Sequence, residues 1–237
     1  MSNFNLDDLY EKKTNFKIEI SVPKEYYLES NLYKYETKNK SKNNYFLIGK
    51  NKTDIILGIN KTPQIISYPT KTATIHTDIF SNDLDNVLKT NILNRELQFI
   101  QKYLGKYPHV DIYLDKATQS KNPIFGLNQL PKFLRPFSDT FKWDITMFKA
   151  LTKRYIENTL LLNKRKDYWL IDAIQNYLMI EYIEKFYPEV KLLGNASNIW
   201  PLKTFNASKL NFNDKYPFMY QFTARKFLDQ ALNTSAD

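Results

Sequence analysis

The hydrophobic period of the chain changes near residue 82, and this change constrains the fold more than any other feature. Before it, Phe16–Val22 alternates apolar and polar residues at period two, as a half-buried strand does. Further strand-like runs cover residues 44–49, 54–59 and, less regularly, 72–76. After it, apolar residues recur every three or four positions from Leu84 to Leu104, which predicts an amphipathic helix. The sequence therefore predicts an α+β fold, with strands first and helices later.

Breakers and further periodic runs organise the second part. Gly105 and Pro108 are suited to ending the helix, and residues 110–114 predict a short strand. The prolines and the glycine within residues 122–137 predict a loop. Three more helices are expected at about 144–162, 169–186 and 217–232. We place a domain boundary between residues 76 and 84, giving a β-rich domain over 1–80 and a mainly helical domain over 81–237.

Histidine and cysteine usage limits the chemistry. The chain has two histidines, His76 and His109, and no cysteine. A catalytic zinc usually takes three protein ligands, and most often two or three of them are histidines. The same scarcity argues against a Ser-His-Asp triad, although a lone histidine could still serve as a base. Without cysteine there are no disulfides, no thiolate zinc sites and no cysteine nucleophile.

The net charge of +9 does not by itself favour nucleic acid as a partner. Its densest stretches are residues 34–52, interpreted as a polar linker between strand-like runs, and residues 164–166. Neither stretch interleaves basic residues with an aromatic stacking platform, as single-strand binders do. No run of about 18 apolar residues predicts a transmembrane segment. The N-terminal residues lack both the basic and the apolar part of a signal peptide, and no localisation is assigned.

Two short motifs carry a family resemblance. Leu104–Pro108 and Trp169–Ala173 resemble the turn before the active site and the third-ligand motif of alanyl-aminopeptidase-type gluzincin zinc metallopeptidases. Residues 16–75 resemble, more loosely, the end of the preceding β-domain of that family. The resemblance implies an N-terminal antiparallel β-sandwich portion followed by a thermolysin-like mixed α/β, mainly helical, domain. It also implies a bacterial member that is a segment of a longer protein, truncated at its C-terminus.

The same resemblance assigns the metal positions. In the family a His-Glu-x-x-His helix precedes the ligand glutamate by about eighteen residues. Matching Asp172 to that glutamate places Lys149 and Lys153 at the two histidines and Ala150 at the general base. A lysine ammonium has three donors and no lone pair, so it cannot ligate Zn²⁺, and its positive charge repels the ion. Ala150 cannot take a proton from water. The resemblance therefore implies a pseudoenzyme for which we expect no cofactor, although the family uses zinc.

Two further positions follow from the resemblance. Gly126 and Gln129 lie where the family's substrate-binding loop belongs, with Gln129 in place of the glutamate that holds the substrate's α-amino group. Tyr220 lies near the tyrosine that stabilises the oxyanion. The alternatives are a turn residue for Gln129 and a core or interface aromatic for Tyr220.

These assignments predict a protein that binds a peptide or a partner protein in the former cleft without cleaving it. One alternative is an active zinc aminopeptidase with unrecognised ligands, and another is a structural or interaction segment of a larger envelope protein. Asp172 is expected to form an ion pair with Lys149 or Lys153 where the zinc would lie. The alternative is that both lysines extend into solvent.

Overall fold

The computed structural model describes residues 13–38, 41–62, 65–81, 83–116, 119, 124, 137–160, 162, 167–204 and 206–226. Within these residues, antiparallel strands come first and long helices follow. This order confirms the predicted α+β class. In this part of the chain no helix is long and apolar enough to span a bilayer.

The first strands form two small antiparallel sheets. Their bounds are β1 (Thr14–Pro23), β2 (Tyr27–Ser30), β3 (Tyr33–Lys38), β4 (Lys42–Lys52) and β5 (Leu57–Asn60). β4 lies between β1 and β3, while β2 pairs with β5. Period-two alternation along β4 buries Tyr45 and Leu47 in a small core with Val22, Leu28 and Leu32. The antiparallel part of the prediction is confirmed, whereas the sandwich arrangement stays a prediction.

The prediction that residues 34–52 form a polar linker was wrong. Strands β3 and β4 occupy most of this stretch and pair from Tyr33↔Ile48 to Lys38↔Asn43. Lys34 and Glu36 of β3 are exposed, so the strand carries a polar sequence without burying those two charges.

A third sheet joins residues from both sides of the change in period. It contains β6 (Ile66–Pro69), β7 (Thr74–Thr77) and β8 (Asp111–Leu114), with β7 antiparallel to β6 and parallel to β8. Helix α1 (Asn86–Leu104) makes the crossover between the parallel strands that such pairing requires. The Asp85 side chain caps its start by accepting from the Val87 N–H, and Gly105 ends it at a φ of 77°.

Strands β6 and β7 precede residue 80, yet they pack with the helices. Tyr68, Ala73 and Ile75 belong to the larger hydrophobic core, which the long helices also line. The two cores therefore divide near residue 65, and the domain boundary at residue 80 stays a prediction.

The long helices after the third sheet were expected, with small differences in their bounds. They are α2 (Asp139–Thr159), α3 (Tyr168–Phe186) and α5 (Lys215–Lys226), with the one-turn helix α4 (Trp200–Lys203) before α5. Helix α2 begins before the predicted residue 144 because the Ser138 hydroxyl accepts from the Phe141 N–H. Short 3₁₀ turns at Gly194–Asn198, Asn206–Lys209 and Phe212–Asp214 were not predicted. The aromatic rings of α1, α2 and α3 meet in the larger core, where Phe148 stacks on Tyr182 at 4.0 Å between centroids.

Candidate functional site

Lys149, Ala150 and Lys153 line one cavity of about 240 Å³, which we call the lysine cavity. Phe148, Leu151 and Tyr155 lie on the opposite face of α2 and are buried in the larger core. Lys149 and Lys153 are four residues apart and therefore share the remaining face of the helix. The rest of the wall comes from the end of β8, from α3 and from the loop between β4 and β5, namely Tyr113, Leu114, Asp115, Gln119, Gln175, Asp54 and Ile56, together with Arg154 and Glu157 of α2.

A side-chain hydrogen bond holds α3 against this part of α2. The Gln175 amide nitrogen donates to the Lys149 carbonyl oxygen at 2.7 Å, and Gln175 is buried. A buried amide that spans two helices in this way satisfies both polar groups and fixes the width of the cavity.

The electrostatic setting of Lys149 disfavours its charged form. Burial lowers the pKa of Lys149 to about 8; Asp172 opposes this shift, and the charge of Lys153 adds to it. Asp172 thus acts on Lys149 in the direction expected of an ion-pair partner. The ion pair itself stays a prediction.

Lys215 is a functional candidate that sequence reasoning missed. Its side chain starts α5, is only 4% exposed, and places Nζ 3.7 Å from the ring centroid of Phe212. Burial and the charge of Lys149 lower the pKa of Lys215 to about 7. An ammonium at a helix N-terminus is also disfavoured by the helix dipole. No local pattern marks this residue, because its proximity to Lys149 arises only from tertiary packing.

An ion-pair network lies on another wall of the cavity. Arg154 contacts the carboxylate of Asp54 and lies 3.5 Å from that of Glu157. The Asp54 contact joins α2 to the loop after β4. No sequence pattern predicted this contact, because its two residues are 100 positions apart.

The residues that the sequence resemblance assigns to the metal positions do not fit a zinc ion. Two are lysines, and nowhere in the described part of the chain do three His, Cys, Asp or Glu side chains group as metal ligands do. The expectation that the protein needs no cofactor stays a prediction.

The remaining predicted site residues are not brought into the lysine cavity by the described structure. Tyr220 is 73% exposed on α5 and does not line it. Gly126, Gln129 and most of the predicted loop over residues 122–137 lie outside the described residues. The roles assigned to Tyr220, Gly126 and Gln129 stay predictions.

A second polar cluster, which we call the Asp144 cluster, lies earlier on α2. Tyr182 donates to one carboxylate oxygen of Asp144 at 2.9 Å, while Tyr187 and Arg95 donate to the other. Arg95 also donates from Nε to the Tyr182 hydroxyl at 2.9 Å. Asp144 is completely buried, and these donors satisfy its charge.

Glu96 is a buried acid beside Asp144. It is completely buried, and its carboxyl oxygens accept no hydrogen bond from the described part of the chain. Burial raises its pKa well above the usual value, and the charge of Asp144 and the hydrogen bond between the two carboxyl groups raise it further. A protonated Glu96 that donates to Asp144 accounts for both observations.

Comparisons with known proteins give a partial structural likeness. No family model and no curated protein matches the chain. Among solved structures, an M1 zinc metallopeptidase from Deinococcus radiodurans matches at 12% identity and a TM-score of 0.46, covering 72% of this chain and 41% of that one. A two-domain M1 zinc metallopeptidase mutant bound to L-arginine matches at 14% identity and 0.47, covering 72% and 40%. The chain spans about two fifths of the length of these structures. The fold is thus distantly and partially similar to that of M1 zinc metallopeptidases, at a level that says nothing of activity.

Proposed function

We propose that this chain is a metallopeptidase-like protein that does not cleave peptides and that binds part of a peptide in the lysine cavity. The observation that supports the proposal is that Lys149, Lys153 and Ala150, which the resemblance assigns to the two histidine positions and the general-base position, all line this one cavity. A cavity is thus present at these positions, and the side chains around it suit binding better than hydrolysis.

The chemistry of these side chains argues against peptide hydrolysis. A zinc peptidase needs a metal to acidify water and a carboxylate to take its proton. Lys149 and Lys153 bring donors and positive charge to the metal position, and Ala150 brings a methyl group. None of these three side chains can act as a zinc ligand or as the general base.

The size and lining of the cavity favour a single side chain or a chain terminus as its occupant. Pockets for whole drug-sized ligands measure about 300–1,000 Å³, and this cavity measures about 240 Å³. Ile56, Leu114 and Ala150 give it apolar surface, while Lys149 and Lys153 favour a carboxylate. We therefore expect acidic or free C-terminal peptides to bind more tightly than amidated neutral ones.

The first experiment combines metal content, turnover and binding on one preparation. We expect less than stoichiometric zinc, no release of anilide from aminoacyl-anilides, and saturable binding of carboxylate-bearing peptides by NMR titration. Lys149→Met should weaken that binding about tenfold, whereas Lys209→Met, at an exposed lysine away from the cavity, should not. Stoichiometric zinc with turnover would establish the active aminopeptidase instead. Absence of any peptide binding would favour the structural segment.

A second experiment tests the register on which the proposal depends, that is, the match of Asp172 to the family's ligand glutamate. The substitutions Lys149→His, Ala150→Glu, Lys153→His and Asp172→Glu together rebuild the family's metal motif. If the register is right, this variant gains about one equivalent of zinc. Lys149→Ala with Lys153→Ala is the matched control, because it removes both ammonium groups without adding ligands. A folded rebuilt variant that takes up no more zinc than this control would show that the register is wrong.

A further inference from the structure

Ser67, His76 and Asp111 form a hydrogen-bonded chain across the third sheet. They lie on β6, β7 and β8, and Ser67 and His76 are directly paired between antiparallel strands. The Ser67 hydroxyl oxygen is 2.8 Å from Nδ1 of His76, and Nε2 of the same ring is 3.0 Å from the carboxylate of Asp111. Residues far apart in sequence are thus brought into a serine–histidine–aspartate order.

The carboxylate fixes the direction of these hydrogen bonds. An ionised Asp111 can only accept, so the proton of a neutral His76 ring lies on Nε2. Nδ1 then carries the lone pair, and the Ser67 hydroxyl donates to it. This is the arrangement in which a histidine acts as a general base toward a serine, with the ring nitrogens exchanged relative to the usual triad.

The ring of His76 is held in place by its neighbours. It stacks on the Tyr113 ring at 4.4 Å between centroids and 18° between planes, and its side chain is 17% exposed. The side chain of Asp111 is 39% exposed and that of Ser67 lies at the surface of the edge strand β6. The base is therefore oriented, and the hydroxyl is accessible.

A cavity of about 860 Å³ adjoins this chain of residues. His76, Asp111 and Tyr113 line it together with Tyr33 and Tyr35 of β3. Ser67 is not part of the wall, but its hydroxyl bonds to a ring that is. Lys50 and Lys52 also line the cavity, and their positive charge favours an anion forming within it.

We infer that Ser67 is a nucleophile that, with His76 as its base, hydrolyses small esters whose aromatic part occupies this cavity. Ser67 Oγ attacks the ester carbonyl carbon while its proton passes to His76 Nδ1. The bond to the leaving oxygen breaks, and that oxygen takes the proton, which leaves an acyl-serine. His76 then takes a proton from water as the water oxygen attacks the acyl carbon. The bond between the acyl carbon and Ser67 Oγ breaks, and that oxygen takes the proton from His76, which releases the acid and restores the serine. The sum is ester and water converted to acid and alcohol.

Covalent labelling of the intact chain tests this inference. A fluorophosphonate probe should modify Ser67 of the folded protein, with the site located by mass spectrometry, and 4-nitrophenyl acetate should be hydrolysed. Ser67→Ala should abolish both reactions. Ser21→Ala is the matched control, since Ser21 is also an exposed strand serine but donates to the amide oxygen of Asn44 instead of to a base. Equal labelling of Ser67 and Ser21, or hydrolysis unchanged in folded Ser67→Ala, would overturn the inference.

Asp111 is a positioning residue, and its role has a separate readout. Asp111→Asn should lower the labelling rate at Ser67 at least about tenfold, because the amide can stabilise the other tautomer. With only two histidines in the chain, ¹⁵N NMR of the imidazole rings can assign the His76 tautomer directly. We expect the proton on Nε2 in the native chain and a shift toward Nδ1 in Asp111→Asn. An unchanged tautomer together with an unchanged labelling rate would contradict this role.

Discussion

The Asp144 cluster and the lysine cavity lie about one and a half turns apart on α2, yet the surroundings of their charged side chains differ. In the Asp144 cluster one buried carboxylate is satisfied by three donors and its acidic neighbour Glu96 is kept protonated. Lys149 and Lys153 line the lysine cavity, and burial lowers the pKa of Lys149 and of the nearby Lys215, which is not part of the cavity wall. The first region stabilises the fold, whereas burial in the second disfavours the charged form of its lysines.

Removing the central carboxylate should have the largest effect on stability. Asp144→Ala leaves Arg95 without its buried counter-charge and Tyr182 and Tyr187 without their acceptor, so the free energy of unfolding should fall by about 3–5 kcal/mol. Asp139→Ala, in an ion pair at the exposed start of the same helix, should cost no more than about 0.5–1 kcal/mol. Urea denaturation measures both. Similar losses in the two variants would contradict the assignment of the Asp144 cluster as a stabilising centre.

Glu96 should make stability fall as pH rises. Its folded pKa lies above the usual value of about 4.5, so between the two values the folded state holds the extra proton. Stability is therefore lost as pH rises toward and through the folded pKa, by up to about 1.4 kcal/mol per pH unit. Glu96→Gln should remove this slope, and Glu184→Gln, at an exposed position on α3, should keep it. If the pH dependence of stability in Glu96→Gln were the same as in the wild type, a group other than Glu96 would bind the extra proton of the folded state.

Lys215 should give a slope of the opposite sign. Its folded pKa of about 7 lies below the usual value of 10.5, so between these values the unfolded state holds more protons. Stability should therefore rise with pH across that window. Lys215→Met should be more stable than wild type at pH 7 and should lose the slope, while Lys209→Met should do neither. If Lys215→Met were less stable than wild type at neutral pH, this would contradict the claim that the buried lysine charge is destabilising.

The smallest effect is expected for Asp172. Because its charge raises the pKa of Lys149, Asp172→Ala should lower that pKa further below about 8, as measured by an NMR titration of the lysine side chain. The melting temperature should fall by an amount that corresponds to a loss of about 1 kcal/mol in the free energy of unfolding. The fall should be smaller when the chain already carries Lys149→Met. Unchanged values for both the pKa and the melting temperature would exclude the ion pair.

Local pattern predicted the elements whose sequence follows one period closely. Strands β1 and β4 and the long helices appear near their expected positions, because alternating or three-to-four-residue spacing directly reports which face is buried. Strands β2 and β3 did not, because they are short and β3 exposes most of its charged residues. Their identity as strands depends on pairing with β5 and β4, which no local window contains.

The site was predicted to a similar depth. Spacing predicted that Lys149 and Lys153 share one helix face, and both line one cavity together with Ala150; the roles assigned to these residues stay predictions. Lys215, the Arg154–Asp54 contact and the pairing of His76 with Asp111 were missed because each joins residues far apart in the chain. The contact of His76 with Ser67 was missed because it depends on the pairing of β6 with β7. Histidine scarcity had argued against a serine–histidine–aspartate arrangement, yet a single histidine is enough once the sheet brings its partners together.

The contact between Arg154 and Asp54 also has a consequence for how the molecule opens. Strands β1, β2 and β4 share their own small core, and β3 and β5 pair with two of them, so the five strands can separate from the helices as one unit once such cross-links are lost. Asp54 and Ile56 would leave with them and remove one wall of the lysine cavity. If the proposed peptide binds in that cavity, it should oppose the separation of the two cores, and proteolysis between them should become slower as occupancy rises.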